Sequence, residues 1–442
     1  MNKLYSQRGE ALEGVTRVPG DKSISHRALI IGASAVGETK INGLLEADDV
    51  VRTIEVLRAL GVTVEKTGNE WSIHGVGVGG FSAPHDILNF GNSGTGARLL
   101  MGLLSTQDIR AIVTGDRSLR SRPMGRVIEP LSNMGAFFES QNNSQMPIVL
   151  HGAQDPIPIN YELPIPSAQV KSAILLAGLN TPGKTTVIES EPTRNHTENM
   201  LKLFGATVEV ERCSSGKVRI ELNGYPELSP KPIMVPGDPS SAAYPGIAAL
   251  ITPGSNVTIE NVCINPLRSG FLDTLREMGA DIEIANQLNV AGELIGDLTY
   301  RYTALNGVTV PPERAPSMID EYPIIAIAAA FAAGQTRLCG LGELRVKESN
   351  RFSAIVEGLT ACGVSVDTDR DDIVIQGCGG PPPGGAEISV NLDHRVAMSY
   401  LVMGIAARKA VTINDGTPIE TSFPNFCNLM NGLGANIGFT GD

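Results

Sequence analysis

The 442-residue sequence has little of what several large classes of protein require. A single tryptophan and an aromatic share of 5% leave few platforms on which bases could stack. Lys and Arg number 35 against 47 Asp and Glu, so the formal net charge is −12. That is the reverse of the basic surplus that phosphate contacts demand, and nucleic acid is not an expected partner. The six cysteines, at 213, 263, 339, 362, 378 and 427, form no C-x-x-C and stand beside no paired histidines. They read as small buried hydrophobes in a reducing compartment, with no disulfide framework and no metal set. The longest nearly unbroken apolar stretch, Ile324 to Ala333, is about half a membrane span and predicts a buried helix. Residues 1–20 show neither a secretory leader nor an Arg- and Ser-rich presequence, so the expectation is a cytoplasmic protein that meets no membrane. With 42% hydrophobic and 19% charged residues, disorder and coiled coil are also excluded, and a large core is affordable.

Glycine, by contrast, is abundant at 49 residues, and some of it is periodic. Six times an apolar-periodic segment ends in Gly and gives way to a short alternating run: VLRALGVTVE, PLSNMGAFFE, MLKLFGATVEVE, TLREMGADIEIA, GLTACGVSVD and LMNGLGANIGF. The glycines are 61, 135, 205, 279, 363 and 434, in steps of 74, 70, 74, 84 and 71 residues. Each unit reads as a helix, a left-handed C′ glycine and a half-buried strand. In the first, Asp48 is the expected N-cap and Val50, Ile54 and Leu57 share the buried face. The second is weakest, with Pro130 inside its helical pattern and no clean alternation after Gly135. A further apolar helix, turn and strand precedes several units, as in AILLAGLNTPGKTTVIE and GIAALITPGSNVTIE. Repeats at such spacing mark a modular architecture. Val18-Pro19-Gly20-Asp21-Lys22-Ser23 resembles Val235-Pro236-Gly237-Asp238-Pro239-Ser240, two Pro/Gly punctuations each followed by an N-cap candidate and an apolar helix. They predict two chain crossings: one three-repeat domain over 20–236, and a second over 237–442 joined by residues 1–19. The ligand site is expected in the cleft between them.

Polar groups cluster at the starts of the apolar helices. Asp21-Lys22-Ser23-Ile24-Ser25-His26-Arg27 puts a Lys, hydroxyls and an Arg where free N–H groups and the helix dipole already favour an anion; a solvated cap is the plain alternative. Asn89 to Arg98 carries three glycines that allow close backbone approach, but it is neither a P-loop nor G-x-G-x-x-G. Arg117 to Arg126 contains Arg-x-x-Arg-x-Arg-Pro, with Pro123 expected to start a helix and aim Arg122 across its end. Guanidinium matches carboxylate and phosphate in a bidentate way that ammonium does not. Ser167-Ala168-Gln169-Val170-Lys171-Ser172 offers small donors, or an ordinary cap. Asp320 and Glu321 precede the apolar helix as caps or as a base among cations. Lys347 and Arg351 are expected to share a helical face around Glu348, and Asp393-His394-Arg395 opens the last apolar helix. The recurrence suggests one site that gathers small anions.

The motifs GDKSISHRA, GNSGTGARL, RPMGR, SAQVKSA, RNHTE, DEYP, LRVKES and DHRVAM together resemble the EPSP synthase family, and the resemblance spans essentially the whole chain. It implies an α/β fold of mixed sheets. Two similar domains would each hold three βαβ-type repeats around buried helices, the inside-out α/β barrel of the enolpyruvyltransferases. The implied activity is transfer of the enolpyruvyl group of phosphoenolpyruvate to the 5-hydroxyl of 3-phosphoshikimate in aromatic amino acid biosynthesis, without metal or organic cofactor. Carried over by motif, 3-phosphoshikimate falls to Lys22, Ser23, Arg27, Ser167, Ala168, Gln169, Arg194, Asp320 and Lys347. Phosphoenolpyruvate falls to Lys22, Gly94, Arg122, Gln169, Arg351 and Arg395. Asp320 is then the implied base and Glu348 the proton donor, with Lys22 assisting. A monomer inhibited by glyphosate is also implied. SAQVKSA and RNHTE look closer to the glyphosate-tolerant (class II) branch, although Leu267 departs from that branch. Glu420-Thr421-Ser422-Phe423-Pro424 lacks the Lys that many members carry there. The sister enzyme acting on UDP-N-acetylglucosamine carries a reactive Cys in the loop equivalent to Thr114–Pro123, which has none here. A non-enzymatic repeat scaffold is the reading from another class.

Overall fold

The structure is a computed structural model that describes residues 3–141 and 144–440. The six repeat glycines all lie just past a helix with left-handed backbone: φ is +90° at Gly61, +105° at Gly135, +99° at Gly205, +88° at Gly279, +77° at Gly363 and +110° at Gly434. Each closes the same double bond pattern. In the first, Gly61 N–H donates to Arg58 O at 3.1 Å and Val62 N–H to Leu57 O at 3.0 Å; in the last, Gly434 donates to Asn431 O and Ala435 to Met430 O. This is the Schellman arrangement, which satisfies end carbonyls and turns the chain back towards the core. A side chain at Gly61 would be strained by its φ, and its Cβ would stand 2.9 Å from Ser82 Oγ.

The six helices ending at these glycines are Asp48–Ala59, Gly125–Asn133, His196–Leu203, Gly270–Glu277, Arg351–Ala361 and Phe426–Gly432. Val50, Ile54 and Leu57 are buried together, each removal from water being worth about 1.5–3 kcal/mol. Asp48 is the first helical residue rather than the cap; the cap is Ala47, and Asp48 instead pairs with Arg52. The helix Gly125–Asn133 runs through Pro130, and its strand, Phe137–Gln141, forms despite the poor alternation.

Six more helices are apolar nearly all round: Lys22–Ser34, Gly94–Leu104, Ala168–Gly178, Pro239–Ile251, Tyr322–Phe331 and His394–Ala406. Every residue of the last three is buried. Five of the six carry polar caps, Asp21, Ser167, Asp238 and Asp393 as expected and Ser93 in addition, each accepting a backbone N–H of the first turn. No helix among the described residues is long and apolar enough to cross a membrane.

Each apolar helix runs into a strand of a four-stranded sheet, and the six sheets share one order. In the first, Val36–Asn42 lies antiparallel to Glu70–Val76, which pairs with Thr63–Thr67, while Ile233–Met234 adds a parallel edge to Val36–Asn42. That edge strand comes from the third repeat, as Leu88–Asn89 and Asn160–Glu162 likewise pass from one repeat to the next sheet. The same cyclic hand-over recurs in the other half. There Leu4–Gln7 pairs with Val411–Ile413 and Asn436–Phe439, and Glu13–Thr16 lies parallel to Asn256–Cys263. None of the six sheets closes into a barrel among the described residues. The chain divides into two compact units. One is Gly20–Val235 with Asn289–Glu293; the other is Met1–Pro19 with Pro236–Leu288 and Leu294–Asp442.

Cys263 and Cys362 are buried, but Cys378 is exposed and the other three are partly exposed, so burial does not explain all six. Among the described residues no group of three His, Cys, Asp or Glu could hold a metal ion.

Candidate active site

In the unit built on Gly20–Val235, three apolar helices begin with the motif residues. Lys22 opens its helix under the Asp21 cap, and its Nζ is 3.0 Å from Asp49 Oδ2. Arg27, one turn on, is buried; its Nε donates to Thr197 Oγ1 at 2.6 Å, Nη2 to Ser172 Oγ at 2.7 Å and Nη1 to Ser23 O at 2.9 Å. Burial pulls its guanidinium down to about 10, against the opposing pull of Glu198 and Asp21. Arg194 adds a further cationic influence on it. Ser167 caps its helix through Val170 N–H, and Ser172 Oγ donates to Ala168 O at 2.6 Å.

Gly94 begins the second helix directly against two guanidiniums. A Cβ there would lie 2.9 Å from Arg98 Nη1 and 3.0 Å from Arg122 Nη1. Arg98 Nη1 donates to Gln169 Oε1 at 2.7 Å, and Gln169 Nε2 donates to Thr95 Oγ1 at 2.9 Å. Arg122 is buried and fixed by Asn92 Oδ1 at 2.5 Å and Ser118 Oγ at 3.0 Å. It is the C-cap of the short helix Arg117–Ser121, and the next helix starts only at Gly125, so Pro123 opens no helix. Arg98 thus joins Gly94 to Gln169, and Ser172 and Thr197 join Ala168 to Arg27, while Arg122 stands beside Gly94. Sequence reading assigned no role to Arg98, Ser172 or Thr197, though each sits inside a motif it quoted.

A second set occupies the other unit. Arg351 is fully buried and donates from Nε to Asp393 Oδ2 at 2.8 Å. Its Nη1 stands 3.3 Å from Asp320 Oδ1, and its Nη2 contacts the Glu348 carboxylate. Burial opposes its charge, but Asp393 and Glu348 outweigh that, so its pKa rises above the ordinary arginine value. Arg395 shows the same balance, with Asp320 the strongest opposing anion; its Nε lies 3.9 Å from Asp320 Oδ1 and its Nη1 donates to Asp320 O at 3.4 Å. Asp393 thus does more than cap: it also anchors Arg351 and accepts from Ser349 Oγ at 3.0 Å. The helix of this repeat begins at Arg351 with Asn350 as cap. Lys347 ends the preceding turn Gly342–Val346, so the two share no helical face. Burial lowers the Lys347 ammonium, partly offset by Asp320 and Glu348.

Glu321 stands at the N-cap position of the helix Tyr322–Phe331 but makes no cap bond through its side chain. Asp320 keeps 17% of its side chain accessible, whereas Glu321 is buried and paired with Arg268. At the segment that lacks the Lys, Thr421 Oγ1 lies 3.4 Å from His394 Nδ1, and Glu420 is exposed. Chemically, this set offers two charged guanidiniums beside two partly accessible carboxylates, Asp320 and Glu348. An anion drawn to Arg351 or Arg395 therefore arrives next to a base.

Comparison with known proteins agrees with these motifs. A relative named 3-phosphoshikimate 1-carboxyvinyltransferase from Paramagnetospirillum magneticum is 57% identical over 435 residues, 98% of each chain. One of that name from Rhodospirillum rubrum is 55% identical over 439 residues, 98% of this chain and 97% of the relative. Among solved structures, EPSP synthase from Acinetobacter baumannii superposes with a TM-score of 0.87 at 42% identity, over 99% of both chains. An enolpyruvyl transferase from Streptomyces tendae, at 18% identity and a TM-score of 0.74 over 99% of both chains, shares the fold. With the profile described as EPSP synthase (3-phosphoshikimate 1-carboxyvinyltransferase) matching residues 6–430, the chain belongs to the EPSP synthase family.

Proposed function

We propose that this chain transfers the enolpyruvyl group of phosphoenolpyruvate to the 5-hydroxyl of 3-phosphoshikimate and releases phosphate. The observation that carries the reading is the buried guanidinium pair Arg351 and Arg395, at 3.3 and 3.9 Å from Oδ1 of the partly accessible Asp320 carboxylate. In this reading Asp320 takes the hydroxyl proton as the oxygen bonds to the enol carbon, and Glu348 protonates the methylene. Loss of a methyl proton and of the phosphate group then restores the double bond. The cations stabilise the charge that shifts onto the departing phosphate. Lys22, Gly94, Arg122, Gln169, Arg351 and Arg395 would receive phosphoenolpyruvate. Lys22, Ser23, Arg27, Ser167, Ala168, Gln169, Arg194, Asp320 and Lys347 would receive 3-phosphoshikimate.

We place the enzyme in the cytoplasm as a monomer. We propose competitive inhibition by glyphosate, and kinship to the tolerant branch on the strength of SAQVKSA and RNHTE. The test is phosphate release with both substrates present. Release that requires 3-phosphoshikimate supports the reading. Release that requires UDP-N-acetylglucosamine instead points to the sister enzyme, and none with either points to a scaffold.

A further inference from the structure

We infer that Arg268 is a positioning residue: it neutralises the buried Glu321 carboxylate so that the neighbouring Arg395 guanidinium stays available to a bound anion. The inference rests on reading Arg395 as a phosphoenolpyruvate ligand.

Glu321 is 1% exposed and follows Asp320 directly in the chain. A carboxylate so placed must be paired. Two guanidiniums approach it. Arg268 Nη1 donates to its Oε2 at 2.7 Å, whereas Arg395 Nη1 remains 3.8 Å from its Oε1, outside hydrogen-bond range. Ser240 Oγ completes the arrangement by accepting from Arg268 Nη2 and donating to Glu321 Oε1. Arg268 also lies 3.8 Å from Asp238 Oδ1, the cap of the helix that carries Ser240.

Arg268 is 2% exposed and held by a local turn, its N–H donating to Asn265 O while Leu267 N–H donates to Asn265 Oδ1. Burial opposes its charge, but Glu321 outweighs that and keeps the guanidinium protonated. This Asn265–Arg268 turn entered the sequence reading only as a marker of branch. Without Arg268, the guanidinium standing 3.8 Å from Glu321 is Arg395. It would close that gap and leave its contact with Asp320 O. Arg268 therefore keeps two adjacent carboxylates, Asp320 and Glu321, from competing for one arginine.

The experiment measures steady-state constants for wild type, Arg268→Met, Arg268→Lys and the double variant Arg268→Met/Glu321→Gln, with circular dichroism to confirm folding. Arg268→Met is expected to raise the phosphoenolpyruvate KM about tenfold or more, with a smaller change for 3-phosphoshikimate. Removing the buried charge in the double variant should restore that KM to within about threefold of wild type, and Arg268→Lys should fall between. An unchanged KM in Arg268→Met overturns the inference, as does an equal loss in the double variant, which would mark a purely structural role. Should Arg268→Met fail to fold, the double variant decides in the same way. Wild type without activity would instead refute the functional reading on which the inference rests.

Discussion

Gly94→Ala tests the site at the point where the structure makes the perturbation calculable. Gly94 has no positive φ, so alanine adds one methyl group without backbone strain. That methyl would begin 2.9 Å from Arg98 Nη1 and 3.0 Å from Arg122 Nη1, with Leu119 Cδ1 at 3.6 Å. Both guanidiniums must retreat by a few tenths of an ångström. Neither is free to swing away, since Arg98 is tied to Gln169 and Arg122 to Asn92 and Ser118. Overpacking of this size costs about 1–3 kcal/mol. If glyphosate, the longer of the two ligands, reaches Gly94, it meets both the methyl and the displaced guanidiniums, so its inhibition constant should rise roughly 5- to 150-fold. Phosphoenolpyruvate meets the displaced Arg122 but is shorter, and its Michaelis constant should rise less. The deciding quantity is the ratio of inhibition constant to phosphoenolpyruvate Michaelis constant, measured in parent and variant at saturating 3-phosphoshikimate. A ratio unaltered by the methyl group refutes the reasoning.

Arg122→Ala and Arg395→Ala should each weaken phosphoenolpyruvate kinetics by about 2–5 kcal/mol, and near-normal constants in both would remove them from the site. Arg351→Ala should also lower unfolding stability by about 3–5 kcal/mol, because Asp393 is left buried without its cation; urea denaturation reads this directly. Asp320→Asn and Glu348→Gln should reduce turnover about 100-fold or more with binding retained, and intact turnover in either excludes that residue from proton transfer. His26 is buried against Thr53 Oγ1 at 2.9 Å, and burial, then Lys22 and Arg27, hold its pKa well below the usual 6.5. The unfolded chain accepts a proton there that the folded chain refuses. Stability is therefore full above pH 6.5 and falls below it, by about 1.4 kcal/mol per pH unit. In His26→Asn that component of the slope should vanish in thermal melts between pH 5.5 and 7.5.

The repeat was legible in the sequence because its determinants are local. A left-handed glycine after a helix, an apolar run and an N-cap each act within a few residues, so all six glycines and four of the polar caps, Asp21, Ser167, Asp238 and Asp393, could be read from the sequence, while the Ser93 cap could not. Lys22, Gly94, Ala168 and Arg395 were legible for the same reason, each lying at the start of an apolar helix. Local signals failed where a longer-range contact decided. Asp320 and Glu321 look like two equivalent caps, yet one faces Arg351 and Arg395 with part of its surface open, and the other is sealed against Arg268, 53 positions away. Asp393 reads as a cap but also fixes Arg351 from 42 positions on, and Arg27 depends on Ser172 and Thr197, more than 140 residues distant. Such pairings follow from which helix starts the tertiary fold brings face to face. Burial then gives each charge its meaning, because a carboxylate removed from water must take the cation that the fold leaves beside it.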